Sequence, residues 1–305
     1  MSSLGKRIVN RLLPRSMTTR LWSEEQYRRN LKDWPLGDRR PHRLPSELIV
    51  SLTSYPARYA TLHLTLRSLL RQETVPDRIV LWIAGNDIAA LPKQTRDALE
   101  QGIELRTVTD ARSYKKLIFA LQEFPEAYIA TADDDVFYRP DWLTLLAEGQ
   151  GGPHDAITCH RAHRLKERGL KERGPGEIVP YHDWEWDVQD DRARQPSVDL
   201  MPTGIGGILY PPGSLHPDAV RQDLFERYAP SADDLWFYWC ARRAGTPYRK
   251  VGERFDQTAW WSSQKERLYN HNQQENDLQI AALTKDFGNP LRMPVSASRE
   301  AASMG

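Results

Sequence analysis

Three consecutive acidic residues, Asp133-Asp134-Asp135, directly follow the apolar segment at residues 127–132. In parallel sheets, ligands bind at the carboxyl ends of the strands, so carboxylates in this position are expected to lie at the binding edge. Adjacent carboxylates repel one another, and hard divalent cations prefer carboxylate oxygen, so a bound metal ion is one interpretation. The other is an acidic turn that caps a helix beginning near Pro140.

A second acidic group, Asp233-Asp234, precedes a run of apolar and aromatic residues at 235–239. Acids in the first turn of a helix are favoured by the helix dipole, so capping is one interpretation of the pair. A carboxylate beside aromatic rings loses hydration and becomes more basic, as a general base requires. The pair is therefore also a candidate for proton abstraction.

A glycine-rich segment, Thr203-Gly204-Ile205-Gly206-Gly207, precedes a predicted strand rather than a helix. This order separates it from the glycine loops that bind phosphates at the start of a helix. Its glycines either allow the backbone to approach a ligand closely or form a tight turn.

Strand and helix patterns alternate from residue 48 onward, and these elements must position the acidic residues. Short apolar segments predict strands at residues 48–53, 78–83, 103–108 and 127–132. Helical segments between the strands act as crossovers, so the strands are expected to be parallel and covered by helices on both faces. The sequence thus predicts an α/β fold with a central, mostly parallel sheet. After a polar insertion, regular structure is expected at residues 204–210, 232–244 and 274–287.

Composition excludes several classes of protein. The 305 residues are 40% hydrophobic, and their mean hydropathy of −0.65 argues against a membrane-embedded body. Because 42 Lys and Arg stand against 41 Asp and Glu, the net charge of +1 gives no overall field for binding nucleic acid. The two cysteines, Cys159 and Cys240, form no CxxC motif, which favours a reducing compartment.

The chain is predicted to divide into a leader at 1–45, one domain at 46–290 and a loose tail at 291–305. Residues 6–15 carry four aliphatic and four basic residues, which suits either a short helix on an anionic membrane surface or a frayed leader. We find no signal peptide or membrane-spanning segment in the sequence. The expected location is cytoplasmic, with peripheral association at the inner face of the cytoplasmic membrane.

In their order along the chain, the motifs resemble those of GT-A glycosyltransferases. The matching segments are Thr53-Ser54-Tyr55-Pro56-Ala57-Arg58, Lys115-Lys116-Leu117, Asp133-Asp134-Asp135, Thr203-Gly204-Ile205-Gly206-Gly207 and Asp233-Asp234-Leu235-Trp236. The resemblance spans residues 48–287. Within this span the chain resembles bacterial polysaccharide glycosyltransferases and, more distantly, β1,3-galactosyl- and N-acetylglucosaminyltransferases. It implies a Rossmann-like GT-A domain that transfers sugar, with inversion, from a UDP-linked donor to a glycan hydroxyl in bacterial surface polysaccharide synthesis.

The resemblance also implies roles for individual residues. Asp133 and Asp135 match a DxD motif that holds Mn²⁺ or Mg²⁺, with Asp135 as the main ligand and Asp133 or Asp134 reaching the ribose or the metal. Asp234 matches the general base, and Asp233 is its competitor. His271 corresponds to a histidine that some relatives use as a further metal ligand, or it is a non-ligating polar residue. The residues expected to line the nucleotide are Thr53, Tyr55, Arg58 and Lys116.

The resemblance also implies an acceptor, and two other functions are alternatives to glycosyl transfer. The expected acceptor is a glycan or lipid-linked glycan, and Trp184 and Trp186 in the polar insertion are expected to stack on its sugar rings. One rival function is a metal-dependent nucleotidyl- or phosphotransferase, although residues 53–58 lack the GxxxxGK[ST] form of a phosphate loop. The other rival is a non-catalytic carbohydrate-binding protein, against which both intact acidic clusters argue.

Overall fold

The computed structural model of the chain describes residues 15–152, 155–168, 176–255, 258–261 and 272–296. Its strands are β1 (Arg40–Pro41), β2 (Leu48–Thr53), β3 (Thr74–Val75), β4 (Arg78–Ala84), β5 (Glu104–Val108), β6 (Tyr128–Ala132), β7 (Ile157–Cys159), β8 (Ala162–Arg164), β9 (Leu200–Pro202), β10 (Ile208–Tyr210) and β11 (Tyr248–Lys250). Its α-helices are α1 (Arg15–Asp33), α2 (Tyr59–Leu69), α3 (Lys93–Leu99), α4 (Lys115–Glu123), α5 (Trp142–Glu148), α6 (Gln222–Tyr228), α7 (Asp233–Arg243) and α8 (Asn272–Phe287).

Seven strands form one central sheet in the order β11-β7-β10-β6-β2-β4-β5. Strand β10 runs antiparallel to its neighbours β6 and β7, and the other pairs in this sheet are parallel. The structure therefore confirms the predicted α/β class with a mostly parallel, Rossmann-like sheet. Short pairs β1–β3 and β8–β9 lie outside it.

The two faces of the sheet carry separate apolar layers. Along β2, Leu48, Val50 and Leu52 pack in the same layer as the α2 residues Leu62 and Leu66. Ile49 belongs to the opposite layer, with apolar residues of α4 and α7. Because side chains alternate across a strand, a strand buried on both faces needs a continuous apolar run. This requirement explains why β2 is easily recognised in the sequence.

Helix α1 lies within the segment predicted to be a leader, yet it packs against the rest of the fold. Trp22 and Tyr27 are buried, and the Tyr27 ring lies 6.0 Å from that of Phe137. His63 Nε2 lies 2.9 Å from Glu24 Oε1. The described part of the leader is thus attached to the domain, while the proposed membrane-surface helix at 1–14 lies outside the described residues.

The predicted loose tail is also anchored as far as the structure describes it. The buried guanidinium of Arg242 donates hydrogen bonds to the Pro290 and Met293 carbonyl oxygens at 3.1 and 2.7 Å. Ser296 N donates to Gly245 O at 3.0 Å. Burying a guanidinium requires such acceptors, so residues 290–296 are held against α7. Among the helices in the described ranges, none is long and apolar enough to cross a membrane.

Candidate active site

The candidate site lies at one edge of the sheet, where β2 and β6 end and β10 begins. Because β10 is antiparallel to β6, with Ile208 paired to Thr131, the turn that precedes β10 lies beside the acidic triplet. This turn is a 3₁₀ turn at Gly204–Gly206. The reversed strand therefore brings the glycine-rich segment to the same edge as Asp133, as a ligand-approach role requires.

Each acid of the triplet has a different partner. Asp133 Oδ1 accepts a hydrogen bond from Lys116 Nζ at 2.9 Å, and Asp134 Oδ2 accepts one from Ser54 Oγ at 2.5 Å. The Asp135 carboxylate forms an ion pair with the guanidinium of Arg58. Two fixed cations thus provide part of the neutralisation that the sequence attributes to a metal ion.

Asp134, the central acid of the triplet, has a raised pKa. Burial raises the pKa of Asp134 to about 7, and the neighbouring Asp135 carboxylate also raises it. The hydrogen bond from Ser54 and the charge of Arg58 act in the opposite direction. Asp134 therefore carries a proton under mildly acidic conditions, where an ordinary carboxylate is ionised.

The acidic pair lies in the first turn of α7 and faces the triplet. Asp234 Oδ2 accepts a hydrogen bond from Gly204 N at 3.0 Å, and Asp233 Oδ2 lies 3.3 Å from Lys116 Nζ. Burial and then the charge of Asp233 raise the pKa of Asp234. The charge of Lys116 and the Gly204 N–H oppose this rise. A carboxylate with a raised pKa is suited to accept a proton near neutral pH.

Lys116, expected beside a nucleotide, lies between the two acidic clusters. Its side chain is almost fully buried, although burial alone would lower the pKa of an ammonium group. The charges of Asp133, Asp233 and Asp234 outweigh burial and raise the pKa of Lys116 well above its ordinary value. The lysine is therefore a permanent cation among these carboxylates.

The other residues expected to line a nucleotide lie at the end of β2 and in the turn that follows it. Thr53 Oγ1 donates to Trp82 O at 2.7 Å, which leaves its hydroxyl engaged with the neighbouring strand. Tyr55 is 41% exposed, and Arg58 Nε lies 3.4 Å from its hydroxyl oxygen. Tyr55 and Arg58 are thus close to the triplet, with the Tyr55 ring open to solvent.

Trp260 and Thr65 contact the backbone of the acidic triplet, Asp133-Asp134-Asp135, and no sequence motif indicates either contact. Trp260 N donates to Asp135 O at 3.0 Å, and Trp260 Nε1 donates to Thr65 Oγ1 at 2.8 Å. Thr65 Oγ1 in turn donates to Asp134 O at 2.9 Å. Sequence reasoning missed both residues because neither belongs to a motif. Ser54, which binds Asp134, lies inside a quoted motif but was assigned no role.

The remaining candidates are the two tryptophans of the polar insertion and His271. Trp184 is 3% exposed and donates from Nε1 to Val179 O at 3.0 Å, so the expectation that its ring stacks on an acceptor is wrong. Trp186 is half-buried, with its ring 4.5 Å from that of His163. His271 lies outside the described residues.

The carboxylates can be tested for their fit to a divalent cation. In the part of the chain that the structure describes, no three His, Cys, Asp or Glu side chains are grouped to hold a metal ion. Asp133 and Asp135 offer two hard oxygen donors at the binding edge, and Mg²⁺ is commonly held by one or two carboxylates together with substrate phosphates. These oxygen donors are of the type that such an ion prefers, and each carboxylate is paired with a cation of the protein in this structure, Asp133 with Lys116 and Asp135 with Arg58.

Comparison with known proteins gives only distant structural similarity. No family model and no curated protein matches the chain. Among solved structures, it is similar to a 4-diphosphocytidyl-2C-methyl-D-erythritol synthase, with 15% identity over 72% of this chain and 95% of that one, at a TM-score of 0.43.

Two further solved structures are similar at the same level. S. aureus TarS 1-349 shows 12% identity over 70% of this chain and 59% of that one, at a TM-score of 0.38. The inositol-1-phosphate CTP transferase from T. maritima shows 11% identity over 71% of this chain and 86% of that one, at 0.37. These values assign the chain to none of the three families, and its fold class follows from its own strand order.

Proposed function

We propose that the protein is a metal-dependent, inverting glycosyltransferase that uses a nucleoside-diphosphate sugar, with UDP as the nucleotide. One observation carries the proposal: acids from two distant parts of the chain face one point. The position that a Cβ would take at Gly204 lies 3.1 Å from Asp234 Oδ1 and 3.8 Å from Asp133 Oδ1. Asp133, the acid proposed to lie on the side of the sugar donor, and Asp234, the candidate base, are thus close enough to take part in one reaction.

The proposed reaction is a single displacement at the anomeric carbon of the donor sugar. The oxygen of the acceptor hydroxyl bonds to the anomeric carbon, and Asp234 accepts the proton that this hydroxyl loses. The bond between the anomeric carbon and the diphosphate oxygen breaks, and its electron pair leaves with the nucleoside diphosphate. Asp133 and Asp135 would hold the divalent cation, which would neutralise charge on the diphosphate.

Arg58 and Tyr55 have supporting roles in this proposal. Arg58 is ion-paired with Asp135 and adjoins the position proposed for the diphosphate, so its guanidinium can also stabilise phosphate charge. The exposed ring of Tyr55 is available to contact the nucleotide. The acceptor is proposed to be a glycan or lipid-linked glycan, used at the inner face of the cytoplasmic membrane.

The test is an assay of the full chain against a panel of UDP-sugars, with and without Mn²⁺. The proposal predicts Mn²⁺-dependent release of UDP together with a new glycoside. A parallel reaction with nucleoside triphosphates and sugar phosphates reports on nucleotidyl transfer, which releases pyrophosphate. Asp135→Ala should lose the Mn²⁺-dependent release of UDP, whereas the matched control Asp97→Ala, which removes an exposed acid of α3, should retain it. Pyrophosphate release without UDP release would replace the proposal with the nucleotidyltransferase alternative.

A further inference from the structure

Lys116 connects the two acidic clusters of the site. It lies in the first turn of α4, and its Nζ is 2.9 Å from Asp133 Oδ1 and 3.3 Å from Asp233 Oδ2. These acids belong to the end of β6 and the start of α7, elements that adjoin it from different sides. One ammonium group thus contacts both the donor-side acid and the acidic pair.

The surroundings of Lys116 fix its position closely. Ser51 Oγ donates to Lys116 O at 2.5 Å, and Trp82 Nε1 donates to Ser51 Oγ at 2.8 Å. A Cβ at Gly204 would lie 2.9 Å from Lys116 Nζ, so the glycine backbone and the ammonium group lie in close contact. Backbone and ammonium group are therefore both held in place.

We propose that Lys116 is a positioning residue that sets the separation between Asp133 and the acidic pair, rather than a ligand of the nucleotide. A phosphate-binding lysine needs its ammonium group open to the ligand, whereas Lys116 is 8% exposed and faces carboxylates. Its contribution is to keep these carboxylates at the separation that the reaction needs. This proposal rests on the function proposed above.

Lys115 provides a matched control from the same helical turn. It is also buried, but its Nζ pairs with Asp110 Oδ1 at 2.6 Å, away from the two acidic clusters. Substituting either lysine by methionine removes a buried ammonium group and keeps a long side chain. The two variants therefore differ in which carboxylates lose their partner.

The experiment measures kcat and the donor dissociation constant separately for Lys116→Met, Lys116→Arg and Lys115→Met. Misplacement of reacting groups by about 1 Å costs roughly 10²-fold in rate, and we expect a loss of this size in kcat for Lys116→Met. The donor dissociation constant should change little, Lys116→Arg should restore part of kcat, and Lys115→Met should retain it. A weakened donor with unchanged kcat would make Lys116 a nucleotide ligand and overturn the proposal.

A stability cycle tests the same contact without any assay of activity. The urea midpoint is measured for Lys116→Met, Asp233→Asn and the double variant. Removing only the lysine leaves a buried carboxylate without its cation, so the double variant should be more stable than the sum of the single changes predicts. Additive shifts would contradict the contact. If the wild type transfers no sugar but the shifts are non-additive, the proposed function fails while the contact stands.

Discussion

The two acidic clusters differ in how the protein neutralises them. Successive acids of the triplet bind three separate partners, one of which is the hydroxyl of Ser54. Both acids of the pair instead lie beside the same small region, formed by Lys116 and the Gly204 N–H. Successive side chains alternate between opposite faces along a strand, whereas around a helix they turn by about 100°, so adjacent acids at the start of a helix diverge less.

This difference indicates a division of labour. Carboxylates with separate partners can contact a bound cation and the ribose hydroxyls of a nucleotide donor at separate points. Concentrated carboxylates repel each other, and the repulsion raises the pKa of Asp234 in addition to the effect of burial. The comparison therefore predicts that the triplet controls donor binding and that the pair controls turnover.

The largest expected effect is on turnover, in Asp234→Asn. The amide cannot accept the proton of an acceptor hydroxyl, and loss of a general base commonly lowers the rate by ~10²–10⁴-fold. We expect kcat to fall by this amount at saturating donor, while the donor dissociation constant measured by calorimetry is retained.

Asp233→Asn is the comparison for this variant, because Asp233 lies one residue away and contacts Lys116 instead of Gly204. It should retain more of kcat than Asp234→Asn. The opposite ranking would assign the base to Asp233, and normal turnover by both variants would remove the pair from the chemistry.

The next effect is on donor binding, in Asp135→Ala. This change removes a candidate metal ligand and leaves Arg58 without its ion-pair partner. Contacts to charged groups are worth about 1.5–3 kcal/mol, so UDP affinity in Mn²⁺ should fall roughly ten- to a hundredfold. Calorimetric titration of UDP with Mn²⁺ measures it, and wild-type affinity would exclude a role for Asp135 at the metal.

A smaller effect is expected for Gly204→Ala. The added Cβ would lie 2.9 Å from Lys116 Nζ and 3.1 Å from Asp234 Oδ1, so one of these groups must move by a few tenths of an ångström. We expect about a tenfold loss of kcat, less than for a 1 Å displacement. Gly85→Ala is the control, since its Cβ would make an ordinary 3.4 Å contact with Thr107. Equal kinetics of the two variants would show that the site tolerates the displacement.

The last expected effect is on stability rather than on kinetics, in Asp134→Asn. The pKa of Asp134 is raised from 3.8 to about 7 in the folded state. As pH rises from about 4 to 7, the unfolded chain loses this proton before the folded protein does, so Asp134 lowers the free energy of unfolding above pH 7. The asparagine variant should gain about 1–3 kcal/mol at pH 8 relative to its effect at pH 4. Urea unfolding at both pH values measures this difference, which should vanish if Asp134 titrates normally.

Much of the fold was predictable because its central strands are buried on both faces. Predicted strand 48–53 coincides with β2, and the strand predicted at 127–132 begins one residue before β6 and ends at the same residue. Helix α1 was missed because its burial depends on a few residues, including Trp22 and Tyr27, in an otherwise charged segment. A narrow apolar stripe gives little periodicity to detect.

The site was predicted in its parts but not in its arrangement. Acids at a strand end and at a helix start are visible in the sequence, since both positions have known chemical preferences. The approach of Lys116 to both clusters was not visible, because it depends on how α4 and α7 cross the sheet. The contacts of Trp260 with the acidic loop also arise from long-range packing.

The anomeric configuration of the product tests the assignment of a base to the acidic pair most directly. Proton NMR of the sugar transferred from an α-linked UDP-sugar, recorded before any anomeric exchange, gives this configuration. A single displacement assisted by Asp234 predicts an inverted, β-linked product. An α-linked product would show retention and would contradict the role of the pair as the base of a single displacement.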